Sequence, residues 1–190
     1  MNKRIRPNRS TAGFTLIEVL VVIIVIGILF AIASPGWESF LSRQRVGTAR
    51  EQVLQAIRQA QSQARSTRTS RVVYFDPNTA NGLPRVTSAP FQRGGASVAV
   101  TALTGWKVLG GDGIQANSLK MSVSPASANN QIIFDGNGAV AQPPTTSGSQ
   151  TLPFTVTVAR GNTTATGTNR CVLVTTLLGA TQTAEGSACP

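Results

Sequence analysis

The 190-residue chain contains no histidine. That absence excludes a His-based catalytic triad and any His-ligated metal site. Acid is scarce as well: 7 Asp+Glu stand against 17 Lys+Arg, a formal net charge of +10. Beyond Glu18, the acids Glu38, Glu51, Asp76, Asp112, Asp135 and Glu185 are scattered, and no pair has a spacing that argues for acid/base work. Asp112 and Asp135 lie in Gly-rich turns, where Asp commonly bonds its own backbone. The Asp-x-Asn-x-Asp spacing of a calcium loop is missing. Gly110-Gly111-Asp112-Gly113 lacks the Lys-Ser/Thr of a phosphate loop. The residues therefore predict no enzyme, no catalytic group, no cofactor and no metal. Cysteine is nearly absent too. Cys171 and Cys189 stand alone near the C-terminus; on the exported side of a membrane they read as one disulfide, with two free thiols as the alternative. A loop of that size stabilises by about 3 kcal/mol in the chain-entropy picture.

What the chain does have is one long apolar run. Phe14 to Ala33 is twenty residues with a single charge, Glu18. As a helix it spans about 30 Å, the thickness of a bilayer core. It is too long for the apolar region of a cleaved signal peptide, and Ser34-Pro35-Gly36-Trp37 is a poor cleavage site. A plain membrane anchor accounts for the length but not for Glu18, since a carboxylate in an apolar run is costly and needs a partner. The flank before it holds Lys3, Arg4, Arg6 and Arg9, which should keep the N-terminus cytoplasmic and place the rest outside the cytoplasm.

Gly13-Phe14-Thr15-Leu16-Ile17-Glu18, behind a basic leader and ahead of the apolar run, resembles the processing site of type IV pilins and of the pseudopilins of type II secretion. The resemblance implies cleavage between Gly13 and Phe14 by a prepilin peptidase and methylation of the new N-terminus. It implies that Glu18 is the assembly acid, pairing in low dielectric with the Phe14 amine of a neighbouring subunit. Loss of the four leader cations from the 17 leaves 13 basic against 7 acidic residues.

Residues 14 to about 66 read as one helix with a weak point at Pro35 and Gly36, where a backbone donor is lost; the resemblance makes it a functional hinge. Past Trp37, Val46, Ala49, Val53, Ala56, Ile57, Ala60 and Ala64 recur at three and four, an apolar stripe suited to packing on a sheet. Arg43, Arg50, Arg58, Arg65 and Arg68 form a second stripe within an arc of about 80°. It is either a solvated flank or a ridge for an anionic partner such as lipid headgroups, a neighbouring pilin or nucleic acid.

From Arg71 onward the texture becomes strand and turn. Strands are expected at Arg71–Asp76, Ala96–Thr101, Gly105–Leu109 with Trp106 as a core anchor, Gln131–Phe134, Pro153–Ala159 and Arg170–Leu178. Turns or loops are expected at Pro77–Pro84, Gly110–Gly113, Asp135–Gly138 and Gln142–Gln150. The fold class is α+β: a long N-terminal helix, half transmembrane and half amphipathic, packed on an antiparallel β-sheet domain. The expected divisions are a leader at 1–13, a transmembrane and assembly half at 14–34, an amphipathic half at 35–68 and a β-rich domain at 71–190. Gly105, Trp106 and Val108, then Ile132, Phe134, Asp135 and Gly138, then Arg170, Cys171, Val172 and Val174 resemble the segments of the GspH/FimT group of minor pilins and pseudopilins.

Some members of that group bind DNA through a Gly-Arg-x-Arg motif after the last strand. The matching positions here are Gly179-Ala180-Thr181-Gln182, without either arginine. Residues 72–190 carry six basic and four acidic residues, a thin charge for phosphate binding. Arg58, Arg65, Arg160 and Arg170, with Lys107 and Lys120, are the remaining candidate contacts. The primary expectation is a structural, assembly-initiating subunit of a type IV pilus or type II secretion pseudopilus. It would be held in the inner membrane with its C-terminal domain periplasmic, then carried into the filament. Its partners would be other pilins and the prepilin peptidase. A DNA-binding minor pilin for transformation, and a signal-anchored periplasmic protein that never polymerises, are the alternatives.

Overall fold

The computed structural model describes residues 13–77, 79, 82–91, 103–111, 113–125, 130–141, 152–161 and 168–189, side chains at 33–36 and 38 excepted. The expected strand at Ala96–Thr101, the loop at Gln142–Gln150, Asp112 and the basic leader fall outside them. The chain divides into two compact units, residues 1–40 and 41–190.

Helix α1 covers Leu16–Thr67. It starts where Thr15 can cap it: the Glu18 amide donates to Thr15 Oγ1 at 3.3 Å and to the Thr15 carbonyl at 3.1 Å. It ends at Arg68, whose φ of +53° takes the chain out of the helix in the left-handed region. Gly136 lies against that end; a Cβ there would stand 2.7 Å from the Arg68 carbonyl oxygen, so the turn at 135–138 can meet the helix terminus only with glycine.

Eight strands follow among the described residues. They are β1 (Arg71–Asp76), β2 (Arg85–Pro90), β3 (Lys107–Val108), β4 (Leu119–Ser124), β5 (Gln131–Phe134), β6 (Phe154–Arg160), β7 (Arg170–Val174) and β8 (Thr181–Glu185). They form two four-stranded sheets, β3-β2-β1-β5 and β4-β6-β7-β8, rather than the single sheet expected. Every pairing is antiparallel.

The helix stripe joins the two sheets. Val46, Ala49, Val53, Leu54, Ile57, Ala60 and Ala64 share one buried cluster with Val73, Phe75, Ile132 and Phe134 of the first sheet. The same cluster holds Leu119, Met121, Phe154, Val156, Val158, Val172 and Val174 of the second. Three alanines and two valines at the contact let backbone and sheet approach closely, and Ala56 of the expected stripe is only partly buried. β1 is central and buried on both faces: Val73 and Phe75 point to the helix side, Val72 and Tyr74 to a second, smaller cluster with Ile133 and Leu103. Trp106 belongs to that outer cluster and is half-buried, so it is not the anchor of the main core. Burial pushes the Tyr74 phenol above its ordinary value.

Three strands, β2, β4 and β8, were not expected. β2 reads Arg-Val-Thr-Ser-Ala-Pro and β8 reads Thr-Gln-Thr-Ala-Glu, so neither has the large apolar residues that announce a strand. β4, Leu-Lys-Met-Ser-Val-Ser, does alternate, with Leu119 and Met121 buried and Lys120 exposed. Two expected strands are shorter than read. Gly105–Leu109 contributes only Lys107 and Val108. Arg170–Leu178 stops at Val174 because the Thr175 amide donates to the Ala180 carbonyl, turning the chain into β8 and leaving Leu177 and Leu178 exposed.

Candidate functional site

The N-terminal segment is built on local rules. Gly13 and Phe14 precede the helix, with Phe14 82% exposed. Thr15 and Glu18 have the Thr-x-x-Glu spacing of a capped helix start, and Glu18 stands in the first turn, where the helix dipole favours a negative charge. Beyond it, each large apolar side chain from Leu16 to Ile32 is between 45% and 84% exposed. A helix apolar all round is suited to lipid or to other helices. Among the described residues no helix is long and apolar enough to cross a membrane. Pro35 and Gly36 lie within the helical assignment of α1.

The basic candidates do not converge. Arg58 is exposed on α1, beside a shallow concavity lined by Glu51, Leu54, Gln55 and Gln59. Arg65 donates from Nε to the Asn137 carbonyl at 3.2 Å, tying the last turns of the helix to the β5 hairpin. Arg160 closes β6, opposite Leu119. Arg170 opens β7, with Nε 3.6 Å from a Glu185 carboxylate oxygen. Lys107 and Lys120 lie on different sheets. The positions Gly179-Ala180-Thr181-Gln182 form the β7–β8 turn and the start of β8, so they precede the last strand rather than follow it.

What does assemble is a cluster that no spacing announced. Glu185 at the end of β8 accepts from Arg50 Nη1 at 2.7 Å, while Arg50 also bonds Glu51 Oε1. Arg170 lies on the other side of the same carboxylate. Its guanidinium rests on the helix at Gly47, where a Cβ would stand 2.7 Å from Nη1. Arg43 and Arg170 line one cleft with Thr168, Asn169 and Glu185. Arg50 and Glu185 are 135 residues apart, so only the fold brings them together.

The remaining polar features hold structure. Asp135 Oδ1 accepts from the Asn137 amide at 2.9 Å and the Ala139 amide at 2.8 Å, the self-bonding turn expected of it. Arg85 pairs with Asp76 at 2.9 Å and lies 4.4 Å over the Trp106 ring. Cys171 of β7 and Cys189 are disulfide-bonded, with Cα atoms 5.8 Å apart. The bond fastens the tail that follows β8 back onto β7. Among the described residues no three acidic or Cys side chains gather as a metal cluster would.

Residues 8–34 match the model of the prokaryotic N-terminal methylation motif. No curated protein matches the chain by sequence. Among solved structures, the chain is similar to the type IV minor pilin FimU of Pseudomonas aeruginosa at 18% identity and a TM-score of 0.52, over 80% of this chain and 96% of that one. A second crystal form of the same protein aligns at 17% identity and a TM-score of 0.47, over 76% and 96%. At such identities the likeness is one of fold: an N-terminal helix followed by an antiparallel sheet domain.

Proposed function

We propose that this chain, which carries the N-terminal methylation motif of type IV prepilins on the fold of a type IV minor pilin, is a structural subunit that starts or joins assembly of a pilus or pseudopilus. One observation carries the reading: the motif Gly13 to Glu18 leads directly into a helical stretch, Leu16 to Ile32, whose large apolar side chains are all exposed. Such a helix is stable only when lipid, and then neighbouring helices, cover it.

In this reading the inner membrane holds residues 14–34 with the β-domain on the periplasmic side. A prepilin peptidase cuts between Gly13 and Phe14. The new amine at Phe14 is methylated and lies one residue ahead of the cap at Thr15. Glu18 of a neighbouring subunit then meets that amine where water is excluded, so each charge removes the penalty on the other. Pro35 and Gly36 supply a point of give between the filament core and the outer domain. The β-domain contributes contact surface rather than chemistry.

Co-expression with a prepilin peptidase tests the processing step. Intact mass should show loss of residues 1–13, and an uncut chain would favour a simple signal-anchored protein. Glu18→Ala should enter the membrane normally and fail to join filaments; filaments that contain the variant at the ordinary level would remove Glu18 from assembly. For DNA, a salt series on residues 42–190 with the disulfide intact is decisive. Salt-sensitive binding lost in Arg58→Ala/Arg65→Ala would move the function toward DNA uptake.

A further inference from the structure

Strand β8 is the last strand of the second sheet and lies alongside the helix. Arg50 bonds Glu185 at one end of β8, and Gln61 Nε2 donates to the Leu178 carbonyl at 3.1 Å just before the other. Arg50 and Gln61 are about 16 Å apart along α1, the length of roughly five extended residues. Between those two ties Thr183 is exposed, so helix and strand leave a groove along the middle.

One wall of the groove is a row of unused backbone groups. The Thr175 amide donates to the Ala180 carbonyl, and the Gly186 amide to the Asn169 carbonyl. An antiparallel ladder alternates, so Gln182 and Ala184 turn their backbone groups to β7 while Thr181 and Thr183 turn theirs to the open edge. There they find no hydrogen bond among the described residues. Edge strands are ordinarily guarded by lysine, proline or a bulge; Thr-Gln-Thr-Ala-Glu, in unbroken register with β7, has none of these.

The other wall is basic. Arg43, Arg50, Leu54, Arg58 and Gln61 fall within an arc of about 80° on α1. Arg58 lines a concavity of about 440 Å³ with Glu51 and Leu54, and Arg43 lines one of about 300 Å³ with Arg170 and Glu185. Arg50 is shared between Glu51 and Glu185, and Arg170 lies 3.6 Å from Glu185, so these cations and acids balance. Arg43 and Arg58 are exposed and make no ion pair or hydrogen bond among the described residues, so they are the surplus. They stand about 22 Å apart along the helix, the span of roughly seven extended residues.

A row of free N–H and C=O groups is matched by another backbone in extended form. Two surplus cations call for two carboxylates, one near each end of that segment. A second copy of this chain has no such segment, because its seven acids are at least 13 residues apart. A nucleic acid carries a charge at every phosphate, which Glu51 and Glu185 on the same flank would repel.

We infer that the β8 edge and the arginine flank of α1 form a docking groove for an extended segment of a different protein, about seven residues long with an acidic side chain near each end, which adds a strand to the second sheet. The inference rests on the filament-subunit reading above and deepens it, by giving the subunit an acidic neighbour.

The test uses the full chain in nanodiscs of neutral lipid and a fluorescent, end-capped heptapeptide, Glu-Val-Thr-Val-Thr-Val-Glu, followed by anisotropy. The peptide should bind, and more weakly as salt rises. Replacing both of its acids by Gln should weaken binding about fivefold. N-methylation of alternate peptide amides should weaken it about tenfold, because the backbone can no longer pair. Arg43→Gln and Arg58→Gln should each cost about threefold; neither side chain has an internal contact, so both variants should fold normally. Thr183→Pro removes one outward N–H at an edge position that tolerates proline, and should cost about fivefold with an unchanged circular dichroism spectrum. No binding by the folded chain, equal binding of the Glu and Gln peptides, or indifference to N-methylation would each overturn the inference. A DNA oligonucleotide that displaces the peptide and depends more strongly on Arg43 and Arg58 would overturn it in favour of nucleic acid. Peptide binding by a chain that a prepilin peptidase leaves uncut would sink the filament reading and keep the groove; a chain that is cut and enters filaments without binding would sink the groove alone.

Discussion

The two halves of α1 handle apolar side chains in opposite ways. Before residue 33 the helix is apolar all round, and Ile17, Ile23, Ile24 and Ile28 are all more than half exposed. After residue 45 it is amphipathic, and Val46, Val53 and Ile57 are at most 2% exposed. The second half finds its partner in its own chain, against both sheets. The first half joins no buried cluster among the described residues. One helix thus carries two apolar patterns, and only the amphipathic one is matched to a buried face of its own chain.

The largest expected effect sets those halves against each other. Ile57→Ala should lower the unfolding free energy of the β-domain by about 2–5 kcal/mol in denaturant melts followed by circular dichroism, since it leaves a cavity in the joint core. Ile24→Ala should leave that melt unchanged. Equal losses would mean that the apolar half also packs within the chain.

Removing the disulfide comes next. Cys171→Ala/Cys189→Ala frees the tail from β7 and should cost about 3 kcal/mol in the same melt, with membrane insertion untouched. A smaller loss would mean that β8 holds the tail by pairing alone.

Asp135→Ala should cost about 1–2 kcal/mol, because two turn amides lose their acceptor where the hairpin meets the helix end. Hydrogen exchange should quicken around residues 135–140 and in the last turn of α1, where Arg65 bonds Asn137. Faster exchange before residue 40 would mean that this turn also supports the N-terminal half of the helix.

The smallest effect appears only in alkali. Tyr74 is buried and its phenol is raised above its ordinary value of about 10. The unfolded chain therefore ionises first. The contribution of Tyr74 to stability should be constant below about pH 10 and be lost as pH rises from there through the folded value. Tyr74→Phe should flatten that decline; an unchanged slope would place the alkaline sensitivity elsewhere.

Much of the fold was legible where periodicity and burial coincide. The Val46 to Ala64 stripe, β1 and β5 are examples, because a buried stripe or a doubly buried strand must be written in large apolar residues. β2 and β8 were not legible: strands made of Thr, Ser, Ala and Gln draw their stability from pairing with a neighbour, a non-local fact. The turn at Thr175–Ala180 was hidden because Leu177 and Leu178 extend the apolar look of β7 while their side chains face solvent.

By itself the sequence determined the N-terminal methylation motif, the apolar run, the amphipathic half of the helix and the two cysteines able to pair. Each of these depends on neighbours along the chain or on composition. Only the tertiary structure decided that the sheets are two, that Arg65 is spent on a hairpin, and that Arg43 and Arg170 share a cleft beside Glu185. Those outcomes join residues far apart in the chain, and a side chain's charge says nothing of its partner until folding sets the distance between them.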